Sequence, residues 1–259
     1  MIDIHCHIVP DIDDGASDMN EALSMARLAL DNGTNTIINT SHFNPVFNYT
    51  SSTKLKKAVE VFNNVLSTNN IDLQVLLGNE LYYNKELMHC LDKKEFFCLN
   101  NSDYILVEFS NASFPSNILD VVYEFVIRGY IPILAHVERY PSFAKNLKLV
   151  QKCIECGALI QVNSSSVLGS SSSSSQESVL DLIDNNMVHF VASDGHGSTR
   201  RRPILKNSYD FISGSYSKEL ADKLFFTNPQ AVIDNEKIDL SEVYIPSKKL
   251  GFFKRLFSR

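Results

Sequence analysis

Apolar runs of four to six residues alternate with segments of helical periodicity along most of this 259-residue chain, and that alternation constrains the fold more than any other feature. Strands are expected in the opening stretch that carries His5 and His7 and near 36–39, 73–77, 104–108, 131–136, 159–163 and 188–192. Helices are expected between them, among them one with Ser17 as N-cap that stops at Asn32-Gly33, and others near 52–68, 85–91, 118–128, 143–156 and 178–185. About seven strand-then-helix units favour a closed or nearly closed parallel α/β barrel, because parallel neighbours need a long crossover connection. The length suits one such domain.

Chemistry-bearing residues collect where these strands end. His5 and His7 stand two positions apart on the opening strand, so their side chains share a face while Cys6 points away and Ile2 and Ile4 fit a core. Taken alone, two histidines near a terminus fit a surface location equally well. The later strands shift that balance: His42, Glu80, Glu108, His136, Asp194 and His196 each lie at or just beyond a strand's carboxyl end. In barrels of this kind that rim carries the active site. Only His89 and His189, of seven histidines, fall elsewhere.

Imidazole and carboxylate ligands without thiolate suit manganese, iron or zinc, and the share of carboxylates tilts the set towards harder ions. Eight or nine ligands exceed the needs of one ion. A cluster of two or three ions bridged by Glu80 or Glu108 is the economical arrangement, suited to activating water and clamping a phosphoryl oxygen. Hydrolysis of a phosphate ester also calls for cations on the same rim, and Arg139 and the run Arg200-Arg201-Arg202 offer them. No arginine stands six residues after any of the five cysteines, so a phosphatase with a C-x5-R cysteine loop is excluded. The lone Cys153-Ile154-Glu155-Cys156 reads as core packing on a helix.

A formal net charge of −6 argues against a general nucleic-acid binder. With 44% hydrophobic and 21% charged residues and no secretory or spanning segment, a cytoplasmic globular protein is expected. The serine-rich stretch 164–175 reads as a flexible loop. Residues 1–245 form the expected barrel domain. Residues 246–259 form a basic, aromatic tail, fitted either to an anionic membrane surface or to packing on the barrel or a neighbouring subunit.

The ordered series His5-Cys6-His7, Thr40-Ser41-His42, Gly78-Asn79-Glu80, Glu108-Phe109, Ala135-His136-Val137-Glu138-Arg139-Tyr140, Gln161-Val162-Asn163-Ser164 and Ala192-Ser193-Asp194-Gly195-His196 resembles the polymerase and histidinol phosphatase (PHP) superfamily. Within it, the resemblance is to the tyrosine-protein phosphatases of bacterial capsule and exopolysaccharide operons, the CpsB/CapC/YwqE type, and it spans nearly the whole chain. It implies a distorted seven-stranded, TIM-like PHP barrel with a manganese-preferring site of two or three ions, iron or zinc being alternatives. It further implies dephosphorylation of the tyrosine-rich tail of a partner tyrosine kinase, through a metal-bridging hydroxide. By motif, His5, His7, Glu80 and Asp194 would hold one ion; Glu80, Glu108 and His136 a second; Asp14, His42 and His196 a third. Asp11 and Asp13 are rivals of Asp14. Arg139 matches the family's active-site arginine, and Arg201 or Arg202 the second. A small-molecule PHP phosphatase of the histidinol-phosphate type and a non-catalytic, kinase-binding scaffold are the alternatives.

Overall fold

Five consecutive buried residues, Ile2–Cys6, open the fold as strand β1. The computed structural model describes residues 1–46 and 52–239. The remaining strands are β2 (Thr36–Asn39), β3 (His42–Phe43), β4 (Gln74–Leu77), β5 (Glu80–Tyr82), β6 (Tyr104–Glu108), β7 (Ile131–Leu134), β8 (Leu159–Asn163) and β9 (Phe190–Ala192). They form two sheets, one in the order β1-β2-β4 and one in the order β3-β5-β6-β7-β8-β9. Every pairing is parallel. The α/β class and the parallel topology therefore match the sequence expectation.

The strand count does not. Two expected strands are each followed by a short one that was not expected, β2 by β3 after Thr40-Ser41 and β4 by β5 after Gly78-Asn79. A Cβ on Gly78 would meet Leu99 Cδ2 at 2.9 Å and Ile38 Cγ2 at 3.0 Å, so only glycine lets the chain pass here. Asn79 then spends its side chain on the neighbouring backbone, donating to Ser41 O at 2.7 Å and accepting from Phe97 N–H at 2.9 Å. Among the described residues no single closed ladder forms. The two outer strands β9 and β1 meet through an isolated parallel bridge, Cys6 with Gly195, flanked by Asp194 N–H to His5 O and His7 N–H to Gly195 O, both 2.8 Å.

Side-chain alternation sorts the apolar residues into layers. Ile2, Ile4, Ile38, Leu106, Ile133, Leu159 and Phe190 share an inner core, capped by Val232 of the helix Asn228–Asp234. Residues of the opposite parity, such as Ile105, Val107, Leu134, Ile160 and Val191, pack outward on the helices. These include α3 (Lys85–Lys93), α4 (Ile118–Ile127), α6 (Leu147–Glu155) and α8 (Ser173–Asp184). Helices α1 (Met19–Asp31) and α2 (Ser52–Thr68) cover the three-stranded sheet with Ala22, Met25, Ala26, Leu55, Val59 and Phe62. Each aliphatic side chain so buried contributes about 1.5–3 kcal/mol.

Three further expectations need adjustment or placing. The serine stretch is a loop only over 168–172: Ser164–Val167 form α7, and from Ser173 the chain enters α8, where Ser172 caps the helix by accepting from Ser175 N–H at 3.0 Å. Serine suits that cap, and Val179, Leu182 and Ile183 hold the helix to the core. The helix expected over 143–156 is broken into α5 (Pro141–Ala144) and α6, where Asn146 caps the second piece. Cys153 is buried and its thiol is pushed up to about 12 by that burial, as the packing reading requires. The expected tail at 246–259 lies outside the described residues, and among those described no helix is long and apolar enough to cross a membrane.

Candidate metal centre

A bulge in β1 aims the first two ligands. Asp3 lies opposite Ile37 and Cys6 opposite Asn39, so β1 takes three steps where β2 takes two. The extra residue breaks strict alternation: Ile4 lies in the inner core, yet Cys6 packs under α1 and α2. His5 and His7 thereby come together, with Nε2 atoms 3.4 Å apart.

Glu80, the first residue of β5 and 1% exposed, is the hub. Its Oε1 lies 3.2 Å from His5 Nε2 and 3.1 Å from His136 Nε2, and its Oε2 lies 3.1 Å from His42 Nδ1 and 3.4 Å from His7 Nε2. Asp194 Oδ1 stands 3.3 Å from His5 Nε2, and Glu108 Oε1 stands 3.5 Å from His136 Nε2. On the open side, Asp14 Oδ1 reaches His42 Nε2 at 3.3 Å and His196 Nε2 at 3.5 Å. Three groups bring all their ligand atoms within 4.8 Å of one another: His7, Asp14, His42 and His196; His5, His7 and Glu80; His42, Glu80 and Glu108. His7, His42 and Glu80 are each shared between two groups, and His136 and Asp194 join through their contacts with Glu80, Glu108 and His5, so that all nine expected ligands converge.

Several features fit these residues to bound cations. His196 donates Nδ1–H to Asp194 O at 2.9 Å, leaving Nε2 buried and without a hydrogen-bond partner. Burial and the neighbouring His7 charge hold the His196 pKa below its ordinary value, so that Nε2 offers a lone pair. Burial opposes protonation of His7, His42 and His136 as well, but the carboxylates beside them prevail and raise them to about 9, about 11 and about 10. Glu80 and Asp194 are also desolvated by burial, yet the surrounding histidines keep both well below the usual carboxylate range. Protons therefore supply the positive charge that this acidic pocket requires, and ligation would expel them.

Backbone strain accompanies the cluster. His136 and Asp194 take left-handed conformations at φ 33° and 52°, as does Arg201 at 47°. Such residues cost of order 1–3 kcal/mol each and persist where the surroundings over-determine them.

The rivals of Asp14 are placed elsewhere. Asp11 is exposed. Asp13 faces away from the ligand groups, accepting from His7 Nδ1–H at 2.7 Å and from His42 N–H at 2.8 Å. Arg139 Nη1 and Arg201 Nη2 approach Asp194 at 3.3 and 2.6 Å, bringing both guanidiniums to the pocket. Arg202 is exposed, and no ion pair joins it to the cluster among the described residues. Sequence reasoning missed two supporting residues. Tyr140 carries an oxygen 3.2 Å from His136 Nδ1 that also accepts Phe109 N–H at 2.9 Å. Glu21 on α1 grips Ser198, accepting from its N–H at 2.6 Å and its hydroxyl at 3.0 Å, and so anchors the loop between His196 and Arg201. Tyr140 closes one of the blocks that carry the resemblance, though nothing local assigns its role, and Glu21 carries no signal beyond its residue type.

Comparisons with known proteins find relatives along nearly the whole chain. The family model described as capsular polysaccharide synthesis, CpsB/CapC, matches residues 1–234. Tyrosine-protein phosphatase YwqE of Bacillus subtilis (strain 168) is 34% identical over 238 residues, covering 92% of this chain and 93% of that protein. Tyrosine-protein phosphatase CpsB of Streptococcus agalactiae serotype III (strain NEM316) is 32% identical over 243 residues, covering 92% of this chain and 100% of that protein. A solved structure from the work on YwqE from Bacillus subtilis and CpsB from Streptococcus pneumoniae, described as unique metal-dependent tyrosine phosphatases, aligns with a TM-score of 0.88 at 32% identity. That alignment covers 96% of this chain and 100% of the other. A D-hydantoinase aligns at a TM-score of 0.52 and 13% identity over 86% of this chain and 68% of its own, a likeness of fold alone. With a family model spanning most of its length and relatives about one-third identical across more than nine-tenths of it, this chain belongs to the CpsB/CapC family.

Proposed function

We propose that this chain is a metal-dependent protein-tyrosine phosphatase, a phosphoric monoester hydrolase. The observation that carries the reading is the convergence of His5, His7, His42, Glu80, Glu108, His136 and Asp194 with two arginines on one pocket. The names of its relatives support the same activity.

Two or three divalent ions, manganese by preference, would be held by the three ligand groups and would supply an activated water and Lewis-acid polarisation of the phosphoryl group. His5, His7, Glu80 and Asp194 would hold one ion, Glu80, Glu108 and His136 a second, and Asp14, His42 and His196 a third. Arg139 and Arg201 bind the equatorial phosphoryl oxygens, where forked guanidinium donors match the geometry and the developing charge. Their pairing with Asp194 holds both heads at the pocket before substrate arrives. A phenolate leaves more readily than an alkoxide, so the site has little need of a strong general acid.

In its finer form the reading is a TIM-like PHP barrel of seven strands. β2 with β3, and β4 with β5, count as single interrupted strands, and the Cys6–Gly195 bridge supports closure between β9 and β1. The substrate is phosphotyrosine on the tail of a bacterial tyrosine kinase that controls capsule or exopolysaccharide synthesis. The protein acts in the cytoplasm, and the basic tail 246–259 brings it to the inner face of the cell membrane. Deleting that tail is expected to reduce co-sedimentation with anionic liposomes; unchanged binding would remove the membrane assignment.

The test is hydrolysis of p-nitrophenyl phosphate, with histidinol phosphate in parallel, before and after chelation. Loss of aryl phosphatase activity on chelation and its return with manganese(II) supports the reading. Chelator-resistant turnover contradicts it, and faster turnover of histidinol phosphate moves the substrate class to small alkyl phosphates.

A further inference from the structure

β8 stands out among the strands of the larger sheet. β3, β5, β6, β7 and β9 each bear a candidate ligand within them or just beyond their carboxyl ends, whereas β8 carries the amides Gln161 and Asn163, at 0% and 6% exposure. Gln161 Oε1 lies 3.1 Å from His5 Nδ1 and accepts His136 N–H at 2.9 Å. The Gln161 amide nitrogen donates to Asn163 Oδ1 at 2.9 Å, and the Asn163 amide nitrogen donates to Asp194 Oδ2 at 2.9 Å. Asn163 is itself fixed from behind, its N–H donating to Glu138 Oε1 at 3.0 Å.

Both ends of this chain are chemically polarised. A backbone N–H such as that of His136 can only donate, so the oxygen of Gln161 must face it. An ionised carboxylate such as Asp194 can only accept, so the nitrogen of Asn163 must face it. Neither amide can flip without breaking a buried bond at one end. With its oxygen so fixed, Gln161 requires a proton on His5 Nδ1 and leaves Nε2 as the ring nitrogen turned towards Glu80 and Asp194.

We propose that Gln161 and Asn163 are positioning residues for the metal centre: a polarised amide relay that sets the His5 tautomer and holds His136 and Asp194 in place from one strand. The relay rests on the reading of His5 and Asp194 as metal ligands. It acts on metal binding before any substrate is present, so its test is independent of which phosphoester the protein hydrolyses.

The decisive comparison is Gln161→Met against Gln161→Glu. Methionine matches the length but removes the acceptor. Glutamate keeps the acceptor for both His5 and His136 and loses only the donation to Asn163. Manganese(II) affinity of the metal-free full-length protein, measured by competition with a chromogenic chelator, is expected to fall about 10–100-fold for Gln161→Met, the usual cost of losing such a partner. Gln161→Glu is expected to bind manganese(II) at least as tightly as the parent. Thermal unfolding of the metal-free proteins should run the other way, because an added buried carboxylate costs more than a buried thioether. Imidazole nitrogen shifts should report a single Nδ1–H tautomer for His5 in the parent and a mixture in Gln161→Met. Opposed orders of affinity and stability support the relay. Affinity that follows stability, with glutamate the worse substitution, overturns it, as does Gln161→Met binding manganese(II) within about threefold of the parent. If Gln161→Met does not fold, Asn163→Leu gives the same test through Asp194, lowering affinity while the His5 tautomer stays single; unchanged affinity again overturns the relay. Should the parent bind manganese(II) yet leave phosphotyrosine intact, the proposed activity fails while the relay is still decided by the affinity order.

Discussion

Asp13 Oδ2 lies 2.7 Å from His7 Nδ1, whereas its neighbour Asp14 turns outward to meet His42 and His196. Two adjacent carboxylates are thus placed for different work, one to orient a candidate ligand and one to serve as a candidate ligand. Asp14→Ala should lower the number of ions bound per chain by one. Asp13→Ala should keep the number and weaken affinity about 10–100-fold, because His7 loses the partner that fixes its ring. Elemental analysis alongside a metal titration separates the two; a lost ion in Asp13→Ala would exchange their roles.

Arg201, held at Asp194, and Arg202, exposed beside it, make a built-in control. Arg201→Ala should reduce kcat/KM for an aryl phosphate by about 10²–10³-fold, the usual scale for removing a donor to a developing oxyanion. Arg202→Ala should stay within about twofold, as surface substitutions do. Steady-state kinetics on both variants decides which arginine serves the pocket.

The loop between His196 and Arg201 is tied to α1 by the two hydrogen bonds that Ser198 gives Glu21. Glu21→Ala should reduce kcat/KM and destabilise the fold by about 1.5–3 kcal/mol, the range for bonds to a charged group. Glu21→Gln keeps one acceptor and should recover part of both losses. Denaturant unfolding and kinetics measured together check this, and an active Glu21→Ala with parent stability would exclude the tether.

His189 makes the metal-free fold acid-sensitive. It is buried where its Nδ1 accepts Ile160 N–H at 3.1 Å, and burial, aided by Lys223, lowers its pKa from 6.5 to about 3. The folded state keeps this ring neutral while the unfolded chain protonates it. Its contribution is therefore complete above pH 6.5 and is lost as pH falls from there towards 3, at up to about 1.4 kcal/mol per pH unit. His189→Asn, whose Oδ1 can take over the bond from Ile160, should flatten that part of the stability–pH curve measured by denaturant unfolding.

Much of this was legible in the sequence because strand ends announce themselves. Apolar runs stop abruptly at His42, Glu80, Glu108, His136 and Asp194, and a parallel sheet delivers all such ends to one rim. What was hidden depends on contacts distant in the chain. The β1 bulge follows from pairing with β2, and the interruption before Glu80 from the pressure of Leu99 and Ile38 on Gly78. Asp13 and Asp14 are one residue type side by side, so only the positions of His7, His42 and His196 assign them. The serine stretch misled because low complexity masked an N-cap followed by Val179, Leu182 and Ile183 at helical spacing.

The central claim is that this pocket uses bound metal to cleave phosphotyrosine. The most direct measurement is phosphate release from a phosphorylated, tyrosine-rich kinase tail by the protein stripped of metal, then by the same sample after manganese(II) is restored. Negligible release before restoration, and release after it that Glu80→Gln abolishes, is the expected result. Equal release with and without metal, or undiminished release by Glu80→Gln, would contradict the claim.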